Sequence, residues 1–152
     1  SREKEFIRLE HAAAICYRYV NNSIEYLLVR TRAGRWTFPK GGVDPDEERF
    51  RAAEREAYEE AGATGDIARE PFTTYVHAKK AWERGKESTV HAFLLKVKNT
   101  QIPEEQHREP TWFSFSAAED ALVKGRPVKY AEELRRVLRE AESRIMLLHS
   151  GQ

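Results

Sequence analysis

Between Gly41 and Ala63 the chain reads Gly-Gly-Val-Asp-Pro-Asp-Glu-Glu-Arg-Phe-Arg-Ala-Ala-Glu-Arg-Glu-Ala-Tyr-Glu-Glu-Ala-Gly-Ala, and this segment leaves few folds open. Asp44 can cap a helix, Pro45 suits its first position and Glu47 completes a capping-box spacing, while Gly62 supplies a stop. The spacing therefore predicts a helix from about Pro45 to Ala61. At about 100° per residue, Glu56, Glu59 and Glu60 fall within an arc of about 100°. The neighbouring face carries Phe50, Ala53, Ala57 and Ala61, which suits packing on a sheet. Like charges at these spacings cost a helix roughly 0.2 to 0.5 kcal/mol per pair. A hard divalent cation such as Mg²⁺ would offset that cost, because it prefers carboxylate oxygens and keeps waters for exchange. Surface ion pairs, Arg51 with Glu47 and Arg55 with Glu59, offer a plainer account of part of the pattern.

The surrounding chain supplies a sheet for that helix. Ala12 to Val20 is apolar and aromatic, as in a buried strand, and Asn21-Asn22 turns it into a returning strand from Ile24 to Val29. Thr31 to Gly42 reads as loop. Phe72 to Ala78, Val90 to Val97 and Thr111 to Phe115 read as strands. Ser116 with Glu119 opens a short helix ending near Gly125, and Tyr130 to Leu148 forms an amphipathic helix with Leu134, Val137, Leu138, Ile145 and Leu148 inward. Without a regular βαβ repeat, a mixed sheet with helices on both faces fits better than a doubly wound parallel sheet. No linker or repeat divides residues 1–152, so one domain is expected.

Charge narrows the partners little, since 26 basic residues nearly balance 25 acidic ones. The lone cysteine, Cys16, lies in an apolar run and reads as a buried small hydrophobe in a reducing compartment. With no stretch long enough to span a bilayer and no signal-peptide core at the N-terminus, a soluble, cytoplasmic protein is expected. The five histidines show no paired zinc spacing, and no Ser or Cys nucleophile elbow occurs, which favours direct attack by water.

Gly41, Glu47, Arg55, Glu56, Ala57, Glu59, Glu60, Gly62 and Ala63 together match the Nudix box, G-x5-E-x7-R-E-U-x-E-E-x-G-U, and the chain thus resembles the Nudix hydrolase family. The resemblance implies an α/β/α sandwich with a mixed sheet and a loop-helix-loop catalytic element, and hydrolysis of a phosphoanhydride with Mg²⁺ or, in its place, Mn²⁺. It implies that Glu56 and Glu60 hold the metal with help from the Gly41 carbonyl. Glu59 would accept a proton or add a ligand, and Glu47 and Arg55 would brace the loop on the helix. The Gly41-Gly42 pair would let backbone approach metal and phosphate.

Trp36-Thr37-Phe38-Pro39-Lys40-Gly41-Gly42 is similar to the approach to the box in dinucleoside-polyphosphate and diphosphoinositol-polyphosphate hydrolases. Thr111-Trp112-Phe113 and Ala121 to Val128 resemble the latter subgroup's C-terminal part. The matching phosphate-gripping candidates are Arg8, His11, Arg30, Arg32, Lys40, Gly42 and Arg108. Lys40 stands where the diphosphoinositol subgroup tends to have glycine, and His11 where it tends to have a permanent cation. Lys40 is closer to the dinucleoside-polyphosphate hydrolases. The expected partner is a phosphate-rich small molecule, not a membrane, with the chain a monomer or homodimer. Three alternatives stand beside this. One is removal of pyrophosphate from RNA 5′ ends, with the basic connection Lys79 to Glu87 (Lys79, Lys80, Arg84, Lys86, and Trp82) as groove. Another is hydrolysis of nucleoside diphosphates linked to other groups. The third is a sensing module that binds without cleaving. Glu104, Glu105 and Glu109 are candidates for one more metal ligand.

Overall fold

The computed structural model describes residues 10–78 and 87–150; Arg8 and the basic connection from Lys79 to Lys86 lie outside them. Eight strands form one mixed sheet: β1 Glu10–Val20, β2 Ser23–Arg30, β3 Trp36–Thr37, β4 Lys40–Gly42, β5 Ala63–Ile67, β6 Thr73–Ala78, β7 Glu87–Thr100 and β8 Thr111–Ser114. The central path runs β3-β2-β1-β7-β5, with β4 on β1, β6 on β7 and β8 on β2. The β1–β7 pairing is parallel and the rest are antiparallel. Helix α1, Arg49–Ala61, covers one face, and α2, Phe115–Val123, with α3, Val128–Ser150, covers the other. This is the expected α/β/α arrangement. None of the described helices is long and apolar enough to cross a membrane.

The unbroken apolar run of β1 follows from burial on both faces. Ala12, Ala14 and Cys16 point into the core beneath α1, while Ala13, Ile15 and Tyr17 point into the core beneath α3. Small residues on the α1 side, met by Ala53, Ala57 and Ala61, leave room for the helix close to the sheet. Burial pushes the Cys16 thiol up to about 12, with the Glu60 charge adding to the rise, so the thiolate is suppressed.

Asn21 and Asn22 turn the chain with φ of 51° and 66°. Asparagine tolerates that region better than most residues, and a two-residue turn with both φ positive matches the twist of a hairpin. From there β1 and β2 pair as far as Cys16↔Leu27 and then part. Beyond the fork β1 pairs with β4, His11↔Gly42 through Ala13↔Lys40, and β2 pairs with β3. The Lys40-Gly41-Gly42 segment thus enters the sheet beside β1, directly under α1.

Several boundaries differ from those the sequence predicts. The stretch Thr31 to Gly42 is not all loop; it contributes β3 and β4. Helix α1 starts at Arg49 with Glu48 at its N-cap, not near Pro45 with Asp44 as cap. Asp44 to Glu47 instead forms a turn, in which the Asp44 N–H donates to Glu47 Oε1 at 3.2 Å and the Glu47 N–H to the Asp44 carbonyl at 3.0 Å. The cap of α2 is Ser114, whose hydroxyl accepts from the Ala117 N–H at 3.3 Å, and not Ser116. Strand β5 is absent from the sequence reading. Gly65 and Asp66 are poor strand formers, and the pairing of this strand comes from the long edge that β7 offers. Leu134, Val137, Leu138 and Ile145 are buried as expected, but Leu148 is exposed with Met146 and Leu147 at the end of α3.

Candidate active site

Close packing of α1 carries its adjacent stripe partly inside the protein. Glu56 and Glu60 are 8% and 4% exposed, within hydrogen-bonding reach of each other, while the side chain of Glu59 keeps about a third of its surface. A Cβ on Gly41 would fall on the Glu56 carboxyl, so any larger residue there would have to push that carboxyl aside. Burial pushes both buried carboxyls above the usual carboxylate range. For Glu60 the charge of Arg108 works against that rise, and for Glu56 the Arg55 guanidinium does.

Two arginines neutralise the stripe. Arg55 donates to Glu47 at 2.8 and 2.9 Å and to the Gly42 carbonyl at 3.0 Å, which ties the glycine loop to the helix. Its remaining arm reaches Glu56 at 2.7 Å and Glu59 at 3.4 Å. Hydrogen bonding to Glu47 raises the Arg55 pKa further above its ordinary value. Arg108 donates to Glu60 Oε2 at 2.9 Å, and the Lys40 N–H to Glu60 Oε1 at 3.1 Å. The helix-surface pairing is also different from expectation: Arg51 takes Glu54 at 2.8 Å, leaving Glu47 to Arg55.

Glu56, Glu59 and Glu60 therefore do not all point at one spot. Among the described residues, no three His, Cys, Asp or Glu side chains come together as a cation would need. Two of the three carboxylates are in contact, and the third shares an Arg55 nitrogen with Glu56, at 3.4 Å against 2.7 Å. The donor set nevertheless fits Mg²⁺. It consists of hard carboxylate oxygens, two of them desolvated and touching, against a glycine backbone that leaves room beside them.

The other sequence-predicted residues scatter. His11 pairs with Gly42 across the β1–β4 ladder, and its ring meets His77 edge-on at 5.1 Å. Arg30 is occupied away from the carboxylates: it stacks on Trp36 at 4.3 Å, pairs with Glu109 at 2.9 Å and donates to the Gly34 carbonyl at 3.0 Å. Arg32 is exposed. Although part of Lys40 remains exposed, desolvation pushes its ammonium below the usual lysine range; Glu60 pulls it back up, and Arg126 and Arg108 push it down.

Three residues that sequence reasoning missed lie on the α2–α3 side of Lys40. Burial lowers the Arg126 guanidinium to about 10, with Arg35 adding repulsion. It donates to the Leu122 carbonyl at 2.8 Å, and among the described residues neither it nor Lys40 has a carboxylate in ion-pair range. The hydroxyls of Tyr75 and Ser88, both almost fully buried, have no hydrogen-bond partner among the described residues. Arg126 stands in the Lys124-Gly125-Arg126-Pro127 turn, and nothing local in that turn distinguishes it from any solvated arginine.

Residues 9–138 match the model of the NUDIX domain. The chain is 34% identical over 116 residues to the bis(5′-nucleosyl)-tetraphosphatase (asymmetrical) of Caenorhabditis elegans, covering 73% of this chain and 80% of that one. It is 29% identical over 136 residues to diphosphoinositol polyphosphate phosphohydrolase 3-alpha of Mus musculus, covering 83% and 77%. Among solved structures, a binary complex of C. elegans Ap4A hydrolase superposes with a TM-score of 0.69 at 28% identity, covering 90% of this chain and 97% of that one.

Proposed function

This chain belongs to the NUDIX domain family and is a hydrolase acting on pyrophosphate bonds, and on that premise we propose that it cleaves a phosphoanhydride in a dinucleoside polyphosphate with a divalent metal, Mg²⁺ first and Mn²⁺ as substitute. Diphosphoinositol polyphosphates are the second substrate class. The observation that carries the reading is the buried Glu56–Glu60 pair pressed against Gly41 at the β1–β2 fork. Two acidic groups forced together out of water call for a cation stronger than the single charges of Arg55 and Arg108.

Glu56 and Glu60 would hold the ion, with the Gly41 carbonyl beside them. The ion supplies neutralisation of phosphate oxygens and polarisation of the attacking water. Glu59, the most exposed of the three, would take the proton as the water oxygen bonds to phosphorus and the anhydride oxygen leaves. Arg55 would keep loop and helix in register through Glu47 and the Gly42 carbonyl. Lys40 and Arg126 would grip phosphates farther along the chain, since two desolvated cations with no carboxylate in ion-pair range among the described residues favour a polyanion. The likeness to a bis(5′-nucleosyl)-tetraphosphatase supports the dinucleoside choice over the inositol one, as does Lys40.

A panel of dinucleoside polyphosphates, inositol pyrophosphates, nucleoside triphosphates, nucleotide sugars and 5′-triphosphorylated RNA, assayed with Mg²⁺ at mildly alkaline pH, tests the proposal. Fastest turnover of a dinucleoside polyphosphate is expected. Preference for RNA with steep salt dependence would move the assignment to RNA 5′ ends. Tight binding with no product over hours would make the chain a sensor.

A further inference from the structure

We propose that Arg108 is a positioning residue that competes with a divalent ion for Glu60 and turns away when the ion loads. The inference rests on the metal reading above. The Arg108 side chain is 18% exposed and all three of its arms are engaged: to Glu60 Oε2 at 2.9 Å, to Glu105 Oε1 at 3.0 Å and to the Arg30 carbonyl at 3.2 Å. Each of its three nitrogens is thus already held by the protein, which sets it apart from a simple substrate-gripping residue.

Glu60 has both oxygens committed to donors of the protein, the Lys40 N–H on Oε1 and Arg108 on Oε2. A divalent ion would use the second lone pair of one of them, and on Oε2 it would lie against the Arg108 charge. The Lys40 N–H belongs to a backbone fixed in the β1–β4 ladder through Ala13 and cannot leave without breaking the sheet. Arg108 is a long side chain on a three-residue 3-10 turn, Gln106–Arg108, held by the Glu105 N–H on the Glu59 carbonyl at 3.2 Å and by Arg30 on Glu109 at 2.9 Å. Glu109 within that segment sits at φ 45°, a region unfavourable for a residue with a side chain. The side chain is the partner that gives way.

Arg55 differs. Its fork is anchored on Glu47 and the Gly42 carbonyl, so only one arm bears on the candidate ligands and it can stay in place when the ion arrives. A guanidinium and a divalent ion on the same carboxylate oxygen repel each other, so Arg108 lowers metal affinity until it turns away. Once released, its fork stands beside the loaded site, where a phosphate oxygen is the best acceptor left to it. Metal loading and phosphate binding thereby assist one another.

Calorimetric titration of Mn²⁺ into the parent protein, Arg108→Gln, Arg108→Met and Arg108→Lys tests this. The Gln and Met variants should bind Mn²⁺ roughly three- to tenfold more tightly while KM for the polyphosphate rises, a split that a merely structural role would not produce. The Lys variant, which keeps the charge, should stay within about twofold of the parent. The Met variant preserves the packing of the stem, so either neutral variant that folds suffices. Mn²⁺ uptake by the parent with no tightening in the folded neutral variants overturns the inference alone. Loss of fold in both would mark Arg108 as a structural brace and overturn it as well. A parent protein that takes up no Mn²⁺ would overturn the metal reading and this inference with it.

Discussion

Around α1 each buried carboxylate meets a guanidinium, Glu56 with Arg55 and Glu60 with Arg108, whereas across β4 the half-buried cations Lys40 and Arg126 have no carboxylate in ion-pair range among the described residues. The first region sets five carboxylates, Glu47, Glu56, Glu59, Glu60 and Glu105, against two guanidiniums, and an added cation must compete with arginines already in place. The second carries positive charge that desolvation makes costly until an anion arrives, with Glu60 easing that cost at Lys40. The two regions thus divide the work of a site for a charged chain: one side arranged for reaction, the other for grip. Substitutions on the two sides should therefore fail differently.

The largest effect belongs to the reacting side. Glu59→Gln should lower turnover by at least about a hundredfold while the melting temperature holds, because the side chain is partly exposed. An unchanged kcat would remove Glu59 from the chemistry. Next comes the gripping side: Lys40→Ala or Arg126→Met should raise KM by about tenfold or more with kcat within a few-fold, and the defect should shrink at high salt. A fall in kcat alone would erase the distinction between the regions.

A pH experiment sharpens the comparison at lower amplitude. Burial raises the Glu60 carboxyl above its unfolded value, so the folded, metal-free protein keeps a proton that the unfolded chain has already released. That contribution to stability is complete below the unfolded carboxyl value and is lost as pH rises through the folded one. The chelated protein should melt at a lower temperature at about pH 8 than at about pH 5, and Glu60→Gln should flatten part of that slope. If the variant keeps the full slope, Glu60 is not the group responsible. The smallest effect is expected at Arg30, which stacks on Trp36 and pairs with Glu109: Arg30→Gln should leave KM within about twofold. A larger change would return Arg30 to the substrate side.

How much of this was legible beforehand depended on the range of the forces involved. Asn21-Asn22 marks its turn because the φ preference is intrinsic to asparagine. The buried faces of α1 and α3 follow from periodicity, which needs only neighbours along the helix. Asp44-Pro45 misled because the same residues that start helices also close turns, and the demand of Arg55 for both Glu47 oxygens accompanies the turn. Strand β5 was hidden because its pairing belongs to β7. Within the site, the box glutamates could be named because the segment from Gly41 to Ala63 resembles the Nudix box. That Arg108 would lie on Glu60, 48 residues earlier, or that Arg126 would be desolvated near Lys40, depends on the tertiary fold and leaves no mark in the local sequence.

The hairpin that joins β1 and β2 closes at Asn21-Asn22, at the opposite end of those strands from the fork that admits Lys40 to Gly42. Lengthening the tip there changes neither the splay of the two strands nor the seat of α1. It is consequently the place where a reporter or a tether can be grafted onto this protein at least risk to its chemistry.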